Sequence, residues 1–511
     1  MKRSKKKLLE DKIVKPIIIQ NSIGCLIQPY HAKQSYMLEQ NTGHYDQVYH
    51  RYDSYVGFII PFNGTNCYAT YNRDYDFLKR CLPNYEIVIA DHNKSKAMKQ
   101  RISLVNIESF KPAQSEMITL IDNSLKTKSS NAWFVNLQTD SGKTVLAVYY
   151  ATRFNLKTII LCFSDTVLLQ WESTFKNRTT IDPNRMVRLN GAIIDGILGG
   201  LIDPDEYDVY IATPTLLDRF ATDRRDYIKI LDFFNRAGIG FLVFDEAHHH
   251  ASSIVRLLSV VNPKYQMYLS ADFSQGNFEK EDQFRKVFHN IPVLKPTTEL
   301  ARTMKHTKVM VVEFNTYPTA IEKEAPFNRY GFDANLYMSY EFSKGVIQKL
   351  IFHLIHTCMS INKNYRMLIL FINVKHVEEM YSIIKMNYPQ YKVGKFHGEM
   401  KKEDKLWSKD QADIIIATYT SFSTGLDTHD IKYVVSCNQC NKVQDNQAAG
   451  RSRPLPDGTD GVYFMLIDVG FSYSRSKLKT RLFYLSETKS KDDIIHRYVY
   501  NNDVHEGEDN S

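Results

Sequence analysis

Phe241-Leu242-Val243-Phe244-Asp245-Glu246-Ala247-His248 is the stretch on which the fold turns. Four consecutive apolar residues are too few for a helix, and they predict a strand covered on both faces, as in a parallel sheet. The strand ends on two adjacent carboxylates. There Asp245 can hold a divalent cation while Glu246 positions and deprotonates a water. A helix N-cap is the plain structural alternative for such a pair. It leaves unexplained a second signature about a hundred residues earlier. Gln138-Thr139-Asp140-Ser141-Gly142-Lys143-Thr144 follows a strand-like run, 133–137, and opens a helical run, 145–150. Strand, loop, Gly-Lys-Thr and helix is the context of a phosphate-binding loop. Backbone N–H groups from Thr139 to Gly142 and the helix N-terminus attract phosphates. Lys143 bridges the β- and γ-phosphates in such a loop, and the Thr144 hydroxyl and Asp245 take Mg²⁺. One departure stands out: the pattern has Gly six residues before the Lys, and Leu137 stands there.

Outward from these stretches the organisation is regular. Apolar runs at 158–163, 208–212, 241–244 and 266–269 alternate with helical patterns, and the alternation returns at 308–313, 367–371, 414–417, 433–436 and 463–467. The expected fold class is therefore α/β, with two tandem units of parallel sheet and helices on both faces. Residues 1–108 lack the alternation, are rich in Tyr, and read as a small α+β accessory domain. The expected boundaries are 1–108, 109–296 for the first unit, 297–470 for the second, and 471–511 for a basic helical extension with an acidic tail.

Composition narrows the class. The 511 residues carry a net charge of +8, and residues 1–110 hold 16 Lys and Arg against 10 Asp and Glu. This basic surplus, starting at Lys2, Arg3, Lys5, Lys6 and Lys7, suits either a solvated tail or contact with nucleic acid. Seven scattered cysteines do not make a disulfide framework. The lone pair Cys437 and Cys440 lacks the second pair that a zinc site needs, and reads as small buried residues. In the triplet His248–250, His248 belongs to the acidic motif and the other two read as surface or interdomain contacts. No secretory leader and no apolar stretch of membrane-spanning length is present, so a soluble intracellular protein is expected.

The order of motifs resembles the superfamily 2 helicases of the DEAH-box type, from about 110 to 467. Phe110-Lys111-Pro112-Ala113-Gln114 is similar to the upstream motif in which Gln114 reads adenine. The run 163–171, with Ser164, is similar to motif Ia, Gly191 lies in a further strand-contacting position, and Ile211-Ala212-Thr213-Pro214 resembles the motif ending in a strand-binding Thr. Ser270-Ala271-Asp272 stands where the family has Ser/Thr-Ala-Thr. In the second unit 368–373 resembles motif IV, and His397-Gly398 fits the turn after it. Ile416-Ala417-Thr418 with Thr424-Gly425-Leu426-Asp427 resembles motif V. Gln447-Ala448-Ala449-Gly450-Arg451-Ser452-Arg453 resembles motif VI, the arginine-finger helix.

The resemblance implies two RecA-like P-loop domains facing each other across ATP. Lys143, Thr144, Asp245, Glu246 and His248 come from the first, and Gln447, Arg451 and Arg453 from the second, with Gly425 and Asp427 also on the nucleotide. Ser164, Gly191, Thr213 and Thr418 face the backbone of a nucleic-acid strand, DNA or RNA. Arg453 comes two residues after Arg451, where many relatives have three, which makes Arg451 the surer finger. Size and layout resemble the transcript-release helicases of poxviruses, the branch-migrating helicases of large phages, and above all related helicases of large cytoplasmic DNA viruses. That implies a monomer acting with viral transcription or replication proteins in the host cytoplasm, and carried in the virion. Two other readings stay open: a translocase that unwinds little, and a nucleic-acid-binding module with a dead ATPase, suggested by Leu137 and Asp272.

Overall fold

A computed structural model describes residues 16–31, 44–46, 51–53, 57–72, 74–107, 109–137, 141–162, 165–247, 251–270, 284–297, 307–329, 331–362, 365–423, 431–437, 445, 448–452, 459–488 and 494–500. Two α/β units are built on parallel sheets, each with seven described strands. The first sheet runs in the order Met186–Arg188, Val209–Ala212, Thr158–Leu161, Phe241–Phe244, Tyr265–Ser270, Ala132–Asn136, Val293–Leu294. The second runs Val393–Phe396, Ile414–Thr418, Arg366–Phe371, Ile431–Ser436, Gly461–Asp468, Thr307–Phe314, Ile494–Val499. Strands such as Phe241–Phe244, Thr158–Leu161 and Ile414–Thr418 are buried at every residue. Helices cover both faces, which is why these strands are apolar throughout rather than alternating.

Local chemistry fixes where the helices begin. The Asn190, Thr213 and Asn373 side chains each accept a backbone N–H at the start of a helix, satisfying a donor that no carbonyl within the helix can reach. Pro214, already set at a helical φ, opens the helix Pro214–Asp223.

The accessory region forms a five-stranded sheet in the order Gly57–Phe62, Thr65–Tyr71, Gly24–Gln28, Ile17–Gln20, Glu86–Ile89. Its hairpin turns on Asn63-Gly64, both at positive φ (50° and 73°), the pair favoured where a two-residue turn must follow the twist of its strands. One face packs on the short helix Tyr75–Cys81 through Leu78 and Cys81. The other packs on Ala251–Leu258 of the first unit. Ile23, Leu26, Ile60, Phe62, Cys67 and Ala69 thereby share one core with Phe244, Ile254 and Leu258. Gly24 lies so close to Leu258 and Ser259 that a Cβ there would come within 2.4 Å of the Ser259 backbone nitrogen. Tyr68, Tyr71 and Tyr85 are buried, so much of the Tyr content serves packing.

The accessory sheet ends at Ile89, and the chain beyond it runs along the first unit, where Met98 and Ile102 join that unit's core and Ala97 and Leu104 bridge to Leu156 and Thr179. At the other end, two elements pack on the second unit. The helix Ser472–Thr488 places Leu485 in the core, and Ile494–Val499 pairs in parallel with Thr307–Phe314. The basic run 2–7 and the acidic tail lie outside the described residues. No helix among the described residues is long and apolar enough to cross a membrane.

Candidate nucleotide site

The site lies where the central strands of the first sheet end, the usual position for a ligand in an open α/β sheet. The phosphate-loop strand Ala132–Asn136 and the acidic strand Phe241–Phe244 are separated by one strand, Tyr265–Ser270. The long Lys143 side chain spans that gap: its Nζ lies 2.9 Å from Glu246 Oε1. Leu137, the departure from the pattern, is fully buried in the core and donates its N–H to the Ser270 carbonyl at 3.1 Å. That bond carries the ladder with the neighbouring strand one residue past Asn136.

Gly142 caps the helix Lys143–Phe154 at φ 85°. That conformation suits glycine, and a Cβ here would meet Gln114 Nε2 at 2.2 Å. Gln114 is itself buried. Its Nε2 donates to the Gly142 carbonyl at 2.9 Å and its Oε1 accepts from the Lys111 N–H at 2.8 Å. The residue that resemblance gives to adenine thus braces the phosphate loop. Phe110 sets its ring edge-on to Tyr149 at 5.1 Å, on the outer part of the same helix. Ser141 is buried, and Thr144 follows Lys143 in the first turn, at the helix's positive end.

Asp245 is held from two sides. Its Oδ2 accepts the buried Trp171 indole N–H at 2.8 Å and its Oδ1 accepts the Glu246 N–H at 3.0 Å. Burial first, then the Glu246 charge, push the Asp245 carboxyl up from the ordinary carboxylate range; Lys143 and the Trp171 hydrogen bond pull against this. Glu246 has φ 47°, a left-handed conformation that a residue with a Cβ adopts only where its surroundings enforce it. In the sequence Trp171 is only the last residue of the run 163–171. Its hold on Asp245, 74 residues away in sequence, has no sequence signal.

In the second unit Arg451 is buried and its N–H bonds to the Ala448 carbonyl at 3.0 Å. The segment is pinned by Asp445, which takes Arg481 Nε and Nη2 at 2.7 and 2.6 Å and the Tyr463 hydroxyl at 2.6 Å. Asp445 and Arg481 are both almost fully buried. A Ser452–Thr307 hydroxyl pair at 3.1 Å ties the end of the segment to the first strand of the sheet.

Among the residues expected to face a strand, Thr213 caps its helix by accepting the Leu216 N–H at 3.2 Å, and Gly191 opens the helix Gly191–Gly199 behind the Asn190 cap. Thr418 is buried at the end of its strand and accepts the Ser421 N–H at 3.4 Å. Thr139, Asp140, Ser164, His248, Gly425, Asp427, Gln447 and Arg453 lie outside the described residues, as do Asp272 and Cys440. Cys437 is buried. No three His, Cys, Asp or Glu among the described residues form a metal-binding group.

Residues 107–275 match the family described as type III restriction enzyme, res subunit, and residues 347–453 match the helicase conserved C-terminal domain. The chain carries the two domains of a superfamily 2 helicase. Among solved structures, Mss116p bound to single-stranded RNA and AMP-PNP superposes with a TM-score of 0.52 at 16% identity, over 77% of this chain and 75% of that one. The Saccharomyces cerevisiae protein Dbp5 bound to RNA and ADP-BeF3 superposes with a TM-score of 0.49 at 14% identity, over 72% and 85%. The first likeness bears on the fold, and it agrees with the paired parallel sheets of this helicase-type chain. No curated protein matches the chain.

Proposed function

We propose that the chain hydrolyses ATP between its two α/β units and uses the cycle to move along and unwind a nucleic-acid strand. The observation that carries this is the Lys143–Glu246 pair at 2.9 Å beside the buried Asp245, where the central strands end. An ammonium paired with the general-base carboxylate is poised for exchange. ATP phosphates would take Lys143 and free Glu246 to accept a proton from the attacking water. The Thr144 hydroxyl and the Asp245 carboxylate fit a hard divalent cation, since a buried carboxyl pushed up by desolvation is stabilised as an anion by a neighbouring positive charge. Bound there, Mg²⁺ would neutralise charge on the β- and γ-phosphates. Gln114 holds the loop at the height of the nucleotide. Arg451, with Arg453 and Gln447 of the same sequence motif, would meet the charge that develops on the γ-phosphate from the other unit; an arginine in this role is worth roughly 10³–10⁵ in rate. Ser164, Gly191, Thr213 and Thr418 would hold strand phosphates, contacts indifferent to sequence. The ordered motifs and the composition support a DEAH-type viral enzyme acting with transcription or replication proteins in the host cytoplasm.

The test measures ATP hydrolysis with and without single-stranded, duplex and forked DNA or RNA, for the wild type and Lys143→Ala. Nucleic acid is expected to stimulate the wild type, and the substitution to remove turnover. Unchanged turnover in Lys143→Ala overturns the site assignment. Stimulated hydrolysis without strand separation assigns the chain to translocases, and the absence of hydrolysis in every condition to binding modules.

A further inference from the structure

A cleft of about 440 Å³ opens between the accessory sheet and the first α/β unit. On the accessory side, the helix Tyr75–Cys81 turns Leu78 and Cys81 into its own core. Asp74, Phe77 and Arg80, spaced three apart, line the cleft on another face. On the motor side, Phe284, Val287 and Phe288 are buried, while Arg285, Lys286 and His289 between them line the cleft. Tyr71, at the end of its strand, meets the His289 ring edge-on at 6.0 Å. His289 Nδ1 lies 2.9 Å from the Lys286 carbonyl; since a carbonyl only accepts, Nδ1 carries the proton.

Among the described residues of the lining, three cationic side chains against one carboxylate select an anion, and the aromatic side chains beside them select a planar ring. A nucleotide carries both. The volume lies in the range of single-ligand sites. The surplus of 16 cationic over 10 anionic residues in 1–110 favours a polyanion over a lone nucleotide.

We propose that this cleft seats one nucleotide of a nucleic-acid strand, its phosphate against Arg80 and Arg285 and its base against Phe77. The assignment rests on the proposed helicase function. It adds a foothold for the strand that is made jointly by the accessory region and the first α/β unit.

The experiment uses the full chain without nucleotide. Binding of a fluorescein-labelled single-stranded oligonucleotide, DNA or RNA, is followed by anisotropy over a salt series for the wild type and for Arg80→Gln with Arg285→Gln. Both arginines are exposed, so the double variant should keep the wild-type thermal midpoint. Its affinity is expected to fall about tenfold at moderate salt, and its salt slope by roughly 0.7, the share of the one single-strand phosphate that the two arginines neutralise together. Photocrosslinking of an oligonucleotide carrying 5-iodouracil should label the peptides that contain Phe77 or His289. A wild type that binds with an undiminished double variant, or crosslinks that avoid both peptides, overturns the cleft alone. Protection of the cleft by free AMP but not by the oligonucleotide assigns it to small nucleotides and overturns the strand. A wild type that binds no nucleic acid, and whose hydrolysis nucleic acid does not stimulate, overturns the helicase reading and the cleft with it.

Discussion

At the scale of single residues, the chain concentrates unfavourable arrangements where chemistry needs them. Asp245 is a buried carboxyl beside a second one, and Glu246 holds a left-handed backbone. Trp171 offsets part of this by donating its indole N–H to Asp245. Trp171→Phe keeps an aromatic, if smaller, side chain there and removes the donor. The Mg²⁺ concentration for half-maximal ATP hydrolysis is then expected to rise by about tenfold, the usual consequence of removing a partner behind a metal ligand. A metal titration of the variant that matches the wild type refutes that role. A second buried acid behaves differently. Burial first, then the charge of Asp468, push Glu341 well above the ordinary glutamate value. The folded chain keeps a proton there that the unfolded chain releases near pH 4.5. Stability from this group is present below that pH and is lost as pH rises through the folded value. Glu341→Gln should therefore raise the thermal midpoint at pH 7 by about 2–4 °C, what roughly 1 kcal/mol gives in a domain of this size. The gain should shrink as pH falls toward 5, and thermal melts across that range decide it. That Lys143, Asp245 and Glu246 come together could be expected from the sequence, because charged residues next to apolar strands have few structural uses. The contacts of Trp171 and Glu341 could not be expected, since a contact across the fold leaves no mark on neighbouring residues.

At the scale of elements, periodicity showed the buried strands and little else. Strands such as Ile414–Thr418, apolar throughout, announce themselves. The strand Ile494–Val499 does not: it lies at the sheet edge, carries His496 and Arg497, and leaves Tyr498 and Val499 exposed. A sequence with water on one side reads as an extension until its partner strand is seen. The segment bearing Arg451 poses the same problem in reverse. Its position depends on Arg481, 36 residues from Asp445 in sequence, and on a hydroxyl from Tyr463. A buried ion pair of this kind contributes little net stability but fixes one arrangement. For the role proposed for Arg451, reaching a phosphate held by the other unit, that fixed arrangement is what matters.

At the scale of the whole molecule, the accessory sheet is part of the first motor unit rather than an appendage. Its apolar face shares a core with Phe244, Ile254 and Leu258, and Asn21 and Ser22 bond to Leu258 and Asn262. A chain truncated to 109–511 is expected to expose that core, bind a hydrophobic dye and sediment as aggregate. A monodisperse truncated chain with the full-length thermal midpoint would disprove the shared core. The same packing sets a schedule during synthesis. The last strand of the accessory sheet is complete at Ile89, and the helix that covers it is complete only at Leu258. At ordinary translation speeds the ribosome needs about 10–30 s to make the chain between them. For that interval the nascent sheet has an uncovered greasy side, which makes its early life the time when chaperone capture or misassociation has most purchase on this protein.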